Sequence, residues 1–261
     1  MLVAKTISAK TCSAVKQNNL RIVGLIQARM NSKRLPGKAL IDLCGKPVIS
    51  HIYSRLSEII ELSEIVLATG AGEENNSLVD WARRQQGIGV IQHEDDDDIA
   101  GRLSKAVKAT DADFILKVNA DCPLFDPMLG SKAIKLAYAN PSCDLVTNKS
   151  DRTYPLGLSV ELLSGYSLIW CDNKLRNPTD RELTINYVLD RPEQFQQHVF
   201  GGNQNFGHLD LTLDTQDDLL LIRKIFEDLY PQNNTFGWIE LRAWINKYEN
   251  LPTCAYLGGG G

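Results

Sequence analysis

No two cysteines in this chain are spaced as metal ligands or as a redox couple. The six, at 12, 44, 122, 143, 171 and 254, form no C-x-x-C, and none lies near a histidine at zinc-finger spacing. Scattered thiols without a secretion signal point to a reducing cytoplasm. No apolar run approaches the roughly 18 residues that a membrane span needs, so no membrane partner is expected. There is no excess of positive charge either. The 28 Lys and Arg against 32 Asp and Glu leave a net charge of −4, which disfavours general nucleic-acid binding. Both common phosphate-loop patterns, G-x-x-x-x-G-K-[ST] and G-x-G-x-x-G, are missing. No repeat, low-complexity linker or sharp change in composition divides residues 21–257, so they read as one domain. Residues 1–20, interrupted by Lys5, Lys10 and Lys16, read as an extension that is flexible or packed against the outside. Gly258 to Gly261 read as a linker remnant.

What remains is an ordinary globular composition, 43% hydrophobic and 23% charged. Its organising stretch is Ile22 to Lys38. The short apolar run Ile22-Val23-Gly24-Leu25-Ile26 reads as a buried strand. A turn follows with four cations in ten residues: Arg29, Lys33, Arg34 and Lys38. An isolated basic loop is usually solvated. This one follows a buried strand of an α/β chain, where ligands bind at the carboxyl ends of strands. An anion cradle is therefore the leading reading: Arg offers a planar fork, Lys a compact charge, and Ser32, Gly37 and turn amides further donors.

The rest of the chain alternates. Pro47 opens a helix carrying Val48, Ile49, Ile52, Tyr53, Leu56, Ile59 and Ile60, with His51 as a packed or solvated residue among them. Glu64 to Thr69 reads as a strand, Asn76 to Gln86 as a helix, and Val90-Ile91 begins a third strand. The acidic run Glu94 to Asp98 precedes a helix, where acids cap free amides and oppose the helix dipole. A metal site is the minor alternative, and Arg102 either faces a ligand or pairs with these acids. Phe114 to Val118 is the most strand-like run, and it delivers Asn119-Ala120-Asp121 to the same sheet edge as the basic turn. A helix from Asp126-Pro127 to about Asn140, a strand over Asp144 to Asn148, helical residues 164–194 and a strand over Phe195 to Phe200 follow. Leu209, Leu211 and Leu213 alternate, so Asp210, Thr212 and Asp214 share the other face. Two carboxylates on one face are costly to bury without a cation. Helices through Leu220, Ile222, Ile225 and Leu229 and over Trp238 to Tyr248 end the pattern. Strand–helix alternation of this kind predicts an α/β fold with a mostly parallel sheet between two helical layers, a three-layer α/β/α Rossmann-like arrangement.

Gln27-Ala28-Arg29, Ser32, Arg34-Leu35-Pro36-Gly37-Lys38 and then Gly45-Lys46-Pro47 resemble the opening signature of the sugar-nucleotide cytidylyltransferases. That group activates Kdo, sialic acid and related acidic sugars, and includes the spore-coat polysaccharide biosynthesis type. Asp121-Cys122-Pro123 resembles the family's G-D-x-P, with Asn119-Ala120 where a Gly is more usual. Leu213-Asp214-Thr215-Gln216-Asp217 resembles its L-D-T-P-E. Arg152 to Glu161 resembles R-x-Y-P-x-G-L-x-x-E, and Arg181-Glu182-Leu183-Thr184 stands where R-E-H-V is expected.

The resemblance implies a nucleotide-diphospho-sugar transferase (GT-A-like) fold and transfer of CMP from CTP to a sugar hydroxyl, with release of pyrophosphate. It implies a nucleotide and phosphate site at Ala28, Arg29, Ser32, Arg34, Gly37, Lys38 and Asn119. Arg29, Lys38, Asp121 and Asp214 are the expected catalytic residues, with Mg²⁺ held by Asp121 and Asp214. Arg152, Tyr154 and Glu161 are expected toward the acceptor, a sugar acid or modified sugar; a structural role for Glu161 stays equally open. A homodimer is a further expectation. Two rivals stand beside this reading: another sugar nucleotidyltransferase or a GT-A-type glycosyltransferase, and a non-catalytic nucleotide-binding protein. The D-x-D of a glycosyltransferase has one counterpart outside the acidic run, Asp111-Ala112-Asp113, which precedes its strand.

Overall fold

The computed structural model describes residues 20–248. The N-terminal extension up to residue 19 and the terminal glycines lie outside the described residues. In chain order the elements are β1 (Ile22–Gln27), a two-strand hairpin of β2 (Asp42–Leu43) and β3 (Lys46–Pro47), α1 (Val48–Ser57), β4 (Glu64–Gly70), α2 (Asn76–Arg84), β5 (Ile88–His93), α3 (Ile99–Thr110) and β6 (Phe114–Asn119). Then come α4 (Pro127–Ala139), β7 (Leu145–Thr147), β8 (Glu161–Ser164), α5 (Gly165–Lys174), α6 (Pro178–Glu182), α7 (Thr184–Leu189), β9 (Gln197–Val199), α8 (Gln216–Leu229) and α9 (Trp238–Tyr248).

The main sheet runs β5-β4-β1-β6-β8-β7-β9. β5, β4, β1 and β6 are mutually parallel; β8 runs antiparallel to both β6 and β7, and β9 is parallel to β7. The sheet is thus mostly parallel, as the strand–helix alternation predicts. β1 is apolar at nearly every position because both faces are covered. Ile22 and Ile26 point into a core shared with α1, α2, α4, α8 and α9, while Val23 and Leu25 point into a second core with α3, α5 and α7. Each such buried side chain contributes about 1.5–3 kcal/mol of transfer free energy. His51 is packed: its Nε2 lies 2.6 Å from the Leu43 carbonyl, and its ring is flanked by Phe226 and Tyr230.

The helices start where the sequence offers caps. Asp98 caps α3, accepting from the Gly101 amide at 3.0 Å. Asp126 caps α4, with Pro127 in its first turn, and Thr215 with Asp218 forms a capping box on α8. One expectation needs correcting. Leu209 to Leu213 joins no ladder beyond one bridge between Leu156 and Asp210. Leu211 and Leu213 are still buried while Thr212 and Asp214 stay partly open, so the alternation reports an extended chain and not a paired one.

From β1 the chain winds to β4 and β5 on one side, then crosses to β6 on the other. A crevice at the carboxyl ends beside such a reversal is where open α/β sheets bind ligands.

Candidate active site

The loop after β1 is fixed by backbone bonds before its side chains matter. The Ala28 amide donates to Ala68, and the Met30 amide donates to Oδ1 of the fully buried Asn75 at 2.9 Å. The Met30 carbonyl then accepts from the amides of Ser32 and Gly37. Gly37 takes φ 70°, a left-handed conformation that favours glycine, and turns the chain into the short helical turn Lys38–Leu40. That turn aims Lys38 back across the carboxyl edge of the sheet.

Lys38 Nζ donates to Asp121 Oδ2 at 3.0 Å and to Asp214 Oδ1 at 2.8 Å. Arg34 Nη2 takes the other oxygen of Asp214 at 2.7 Å. Three segments far apart in sequence therefore meet on one ammonium. Asp121 is brought there by β6: the next turn hangs from β1 through the Ala120 amide and the Gln27 carbonyl. Asp214 is brought by a bond from the Leu213 amide to the Asp121 carbonyl, 2.8 Å, and by Asp218, which accepts from the amides of Asp214 and Thr215. Partial burial pushes the Asp214 carboxyl upward, but the Lys38 hydrogen bond and the charges of Lys38 and Arg34 outweigh it and hold the group below its ordinary value.

These residues line a cavity of about 400 Å³. Ala28, Arg29, Ser32, Arg34, Lys38, Asn119, Asp121 and Asp214 all contribute to its wall. Gly37 does not, and acts through the turn that it permits. The wall also holds Lys33 of the basic turn, and residues that the sequence reading did not assign to it: Gln27, Asp96, Asp97, Ile99, Ala120, Glu182 and Leu183. Arg102 lines the cavity and donates to the Asp96 carbonyl at 2.7 Å, so it does pair with the acidic run. The acidic run divides its work. Asp98 caps α3 and accepts from Arg181 at 2.7 Å, while Asp97 accepts from Arg29 at 2.6 Å across the cavity mouth. Five cationic and five acidic side chains line the wall, so the cavity is close to neutral.

The expected acceptor residues lie elsewhere. Arg152, Tyr154 and Glu161 are not part of this wall. Tyr154 packs edge-on against Trp238 with ring centroids 5.5 Å apart, and Arg152 is exposed. Glu161 is buried and accepts from Lys117 at 2.7 Å and Lys149 at 3.3 Å. Burial pushes its carboxyl upward, yet the two ammonium groups outweigh this and hold it low. The geometry gives Glu161 to the core. Cys122 donates its thiol to Asp121 at 3.2 Å; burial, followed by the Asp121 charge, raises its pKa, which opposes a nucleophilic thiolate.

The family profile described as Cytidylyltransferase matches residues 23–209. The chain belongs to the cytidylyltransferase family. It is 34% identical over 131 residues to a 3-deoxy-manno-octulosonate cytidylyltransferase of Trichlorobacter lovleyi, covering 50% of each chain. It thus spans about half the length of that curated relative. Two solved structures place the fold among cytidylyltransferases. One, a cytidylyltransferase from Leptospira borgpetersenii serovar Hardjo-bovis, superposes with a TM-score of 0.84 at 23% identity, over 93% of this chain and 99% of that one. The other, a CMP:2-keto-3-deoxy-manno-octonic acid synthetase complexed with CTP, gives 0.59 at 17% identity, over 80% and 99%. Among the described residues no helix is long and apolar enough to cross a membrane.

Proposed function

We propose that this cytidylyltransferase transfers CMP from CTP to a hydroxyl of an acidic or modified sugar and releases pyrophosphate. The observation that carries the reading is the meeting of Asp121 and Asp214 on Lys38 inside the cavity that the basic turn lines. Arg29, Ser32, Arg34 and Lys38 bind the triphosphate, and Ala28 and Asn119 border the nucleoside. The sugar hydroxyl oxygen bonds to the α-phosphorus, the bond from that phosphorus to the bridging oxygen breaks, and pyrophosphate leaves with the electron pair. The hydroxyl proton is released. Lys38 and Arg34 neutralise charge that develops on the phosphates, and the fixed turn after β1 aligns the two ends of the reaction.

The donor set fits Mg²⁺. The two carboxylates converge on one cation, the Lys38 ammonium, within 3.0 Å, and both offer the hard oxygen donors that Mg²⁺ prefers. Among the described residues no group of three or more His, Cys, Asp or Glu is gathered for a metal, so phosphate oxygens and water would complete the shell. Asp121 and Asp214 would hold the ion, which supplies Lewis-acid neutralisation of phosphate charge when bound. In a nearly neutral cavity that added charge is what a triphosphate requires.

The glycosyltransferase rival loses support. Asp111 ends α3 and Asp113 accepts from the Arg21 amide, so both belong to the amino edge of the sheet, opposite the cavity. The free thiols of Cys44, Cys122, Cys143 and Cys171 agree with a cytoplasmic site of action, and a homodimer remains the expected assembly. The direct test is pyrophosphate release from each of the four nucleoside triphosphates with Mg²⁺, against a panel of eight- and nine-carbon sugar acids. CTP-dependent release with one of them supports the reading. Absence of both release and nucleotide-induced thermal stabilisation overturns it.

A further inference from the structure

Of the acids in the cavity wall, all but one are tied to a cation. Asp121 and Asp214 accept from Lys38, Asp97 accepts from Arg29, and Asp96 makes a long contact with Arg102 at 3.5 Å. Glu182 is the exception. Among the described residues no hydrogen bond or ion pair reaches its carboxylate, although it lines the same cavity. The tied acids are poorly suited to take up a proton. Their oxygens are committed to cations that the phosphates also need, and Lys38 with Arg34 holds the Asp214 carboxyl below its ordinary value. Glu182 keeps both oxygens uncommitted.

The segment that carries Glu182 is also held in place by design of its neighbour. α6 is five residues long and buries none of them, so core packing does not fix it. Asn177 caps its start, with Pro178 in the first turn. Arg181 anchors its end. Nη2 donates to Asp98 at 2.7 Å and to Asp172 at 2.9 Å, and Nη1 donates to the carbonyls of Asp172 at 2.9 Å and Leu175 at 3.1 Å. Asp98 is itself fixed as the cap of α3. Four hydrogen bonds from one guanidinium therefore set the backbone position of the next residue, and that residue is Glu182.

The transfer proposed above leaves the proton of the attacking hydroxyl without a named acceptor. Resting on that transfer, we propose that Glu182 is its general base. As the sugar oxygen bonds to the α-phosphorus, its proton passes to a carboxylate oxygen of Glu182. The bond from phosphorus to the bridging oxygen breaks, and pyrophosphate leaves with the electron pair. Glu182 then returns the proton to water. A carboxylate free of cations can accept that proton without weakening the grip of Lys38 and Arg34 on the phosphates. Arg181 is a positioning residue, acting only through α6.

The test compares the full-length protein with Glu182→Gln and Glu182→Ala, using the sugar that supports pyrophosphate release in the unmodified protein. Thermal melting checks that each variant is folded, and calorimetry with CTP and Mg²⁺ reads nucleotide binding. Glu182→Gln should lose about 10²–10⁴-fold in turnover while CTP affinity is unchanged. Added formate should restore part of the turnover of Glu182→Ala and should not accelerate the unmodified protein. Normal turnover in folded Glu182→Gln, a loss of CTP affinity that matches the loss of turnover, or no response of Glu182→Ala to formate overturns the base assignment and leaves the proposed transfer standing. Failure of the unmodified protein to release pyrophosphate with any nucleotide and sugar overturns the transfer and this inference together.

Discussion

Asp214→Asn removes one charge and almost no volume, so it separates the chemistry of the site from its scaffold. Asp214 accepts from Lys38 at 2.8 Å and from Arg34 at 2.7 Å. The Arg34 side chain is 65% exposed, so that bond adds little to stability. The Lys38 side chain is 11% exposed, and its bond dominates. A charge-assisted bond contributes about 1.5–3 kcal/mol and a neutral one about half as much, so the amide retains roughly half of it. The expected stability loss is about 1–1.5 kcal/mol, or about 2–6 °C in Tm for a chain of this size. The scaffold is kept, because the residue 214 amide still donates to Asp218 and the Leu213 amide still donates to Asp121. Catalysis loses the carboxylate that fixes Lys38 and Arg34 and that would hold the metal, so electrostatic stabilisation of the transferring phosphate falls. Losses of that kind run to about 2.7–4 kcal/mol, a drop in turnover of about 10²–10³-fold. Steady-state pyrophosphate release alongside thermal melting reads both effects. Near-normal turnover in a folded Asp214→Asn protein would refute the assignment of Asp214 to the reacting phosphate.

Other expectations follow from the same geometry. Lys38→Ala should weaken productive triphosphate binding, read as a higher KM for CTP; unchanged kinetics would remove Lys38 from the site. Glu161→Gln leaves Lys117 buried against a neutral amide, and should cost about 3–5 kcal/mol in urea unfolding while sparing CTP affinity. Because the folded-state pKa of Glu161 is lowered, its stabilisation is fully present above the ordinary glutamate value of about 4.3 and is lost as pH falls through the lower folded value. Acid unfolding curves of the normal and Glu161→Gln proteins should therefore converge at low pH and diverge near neutrality. Gly70→Ala places a methyl group where Asp96 Oδ1 now lies, and should weaken CTP binding measured by calorimetry without unfolding the sheet.

The sequence displays β1, the basic turn and Asp121 because each obeys a local rule: a short apolar run, clustered cations, a polar stop after a strand. Asp214 is legible through the leucine alternation that holds it opposite the core. Glu161 is not. Its role depends on the antiparallel register of β6 and β8, which sets it directly across from Lys117, and no local pattern states which strands become neighbours. The acidic run misleads for a related reason. Charge near a helix start announces Asp98 as a cap, but the turn of the chain over Gly70 decides that Asp96 faces the cavity. Leu183 lies in the wall because Arg181 ties α6 to Asp98 and Asp172, a contact between helices far apart in sequence.

The bond between the Leu213 amide and the Asp121 carbonyl joins a turn made early in the chain to the entrance of α8. Lys38 and Asp214 are 176 residues apart, so this closure ranks among the least local contacts in the molecule. A growing polypeptide can complete β1, β4, β5 and β6, and present the cations of the first loop, well before Asp214 emerges from the ribosome. During that interval the cradle is unbalanced by its second acid and cannot be productive. Both acids of the site are thus available only once the segment that carries Asp214 has been made.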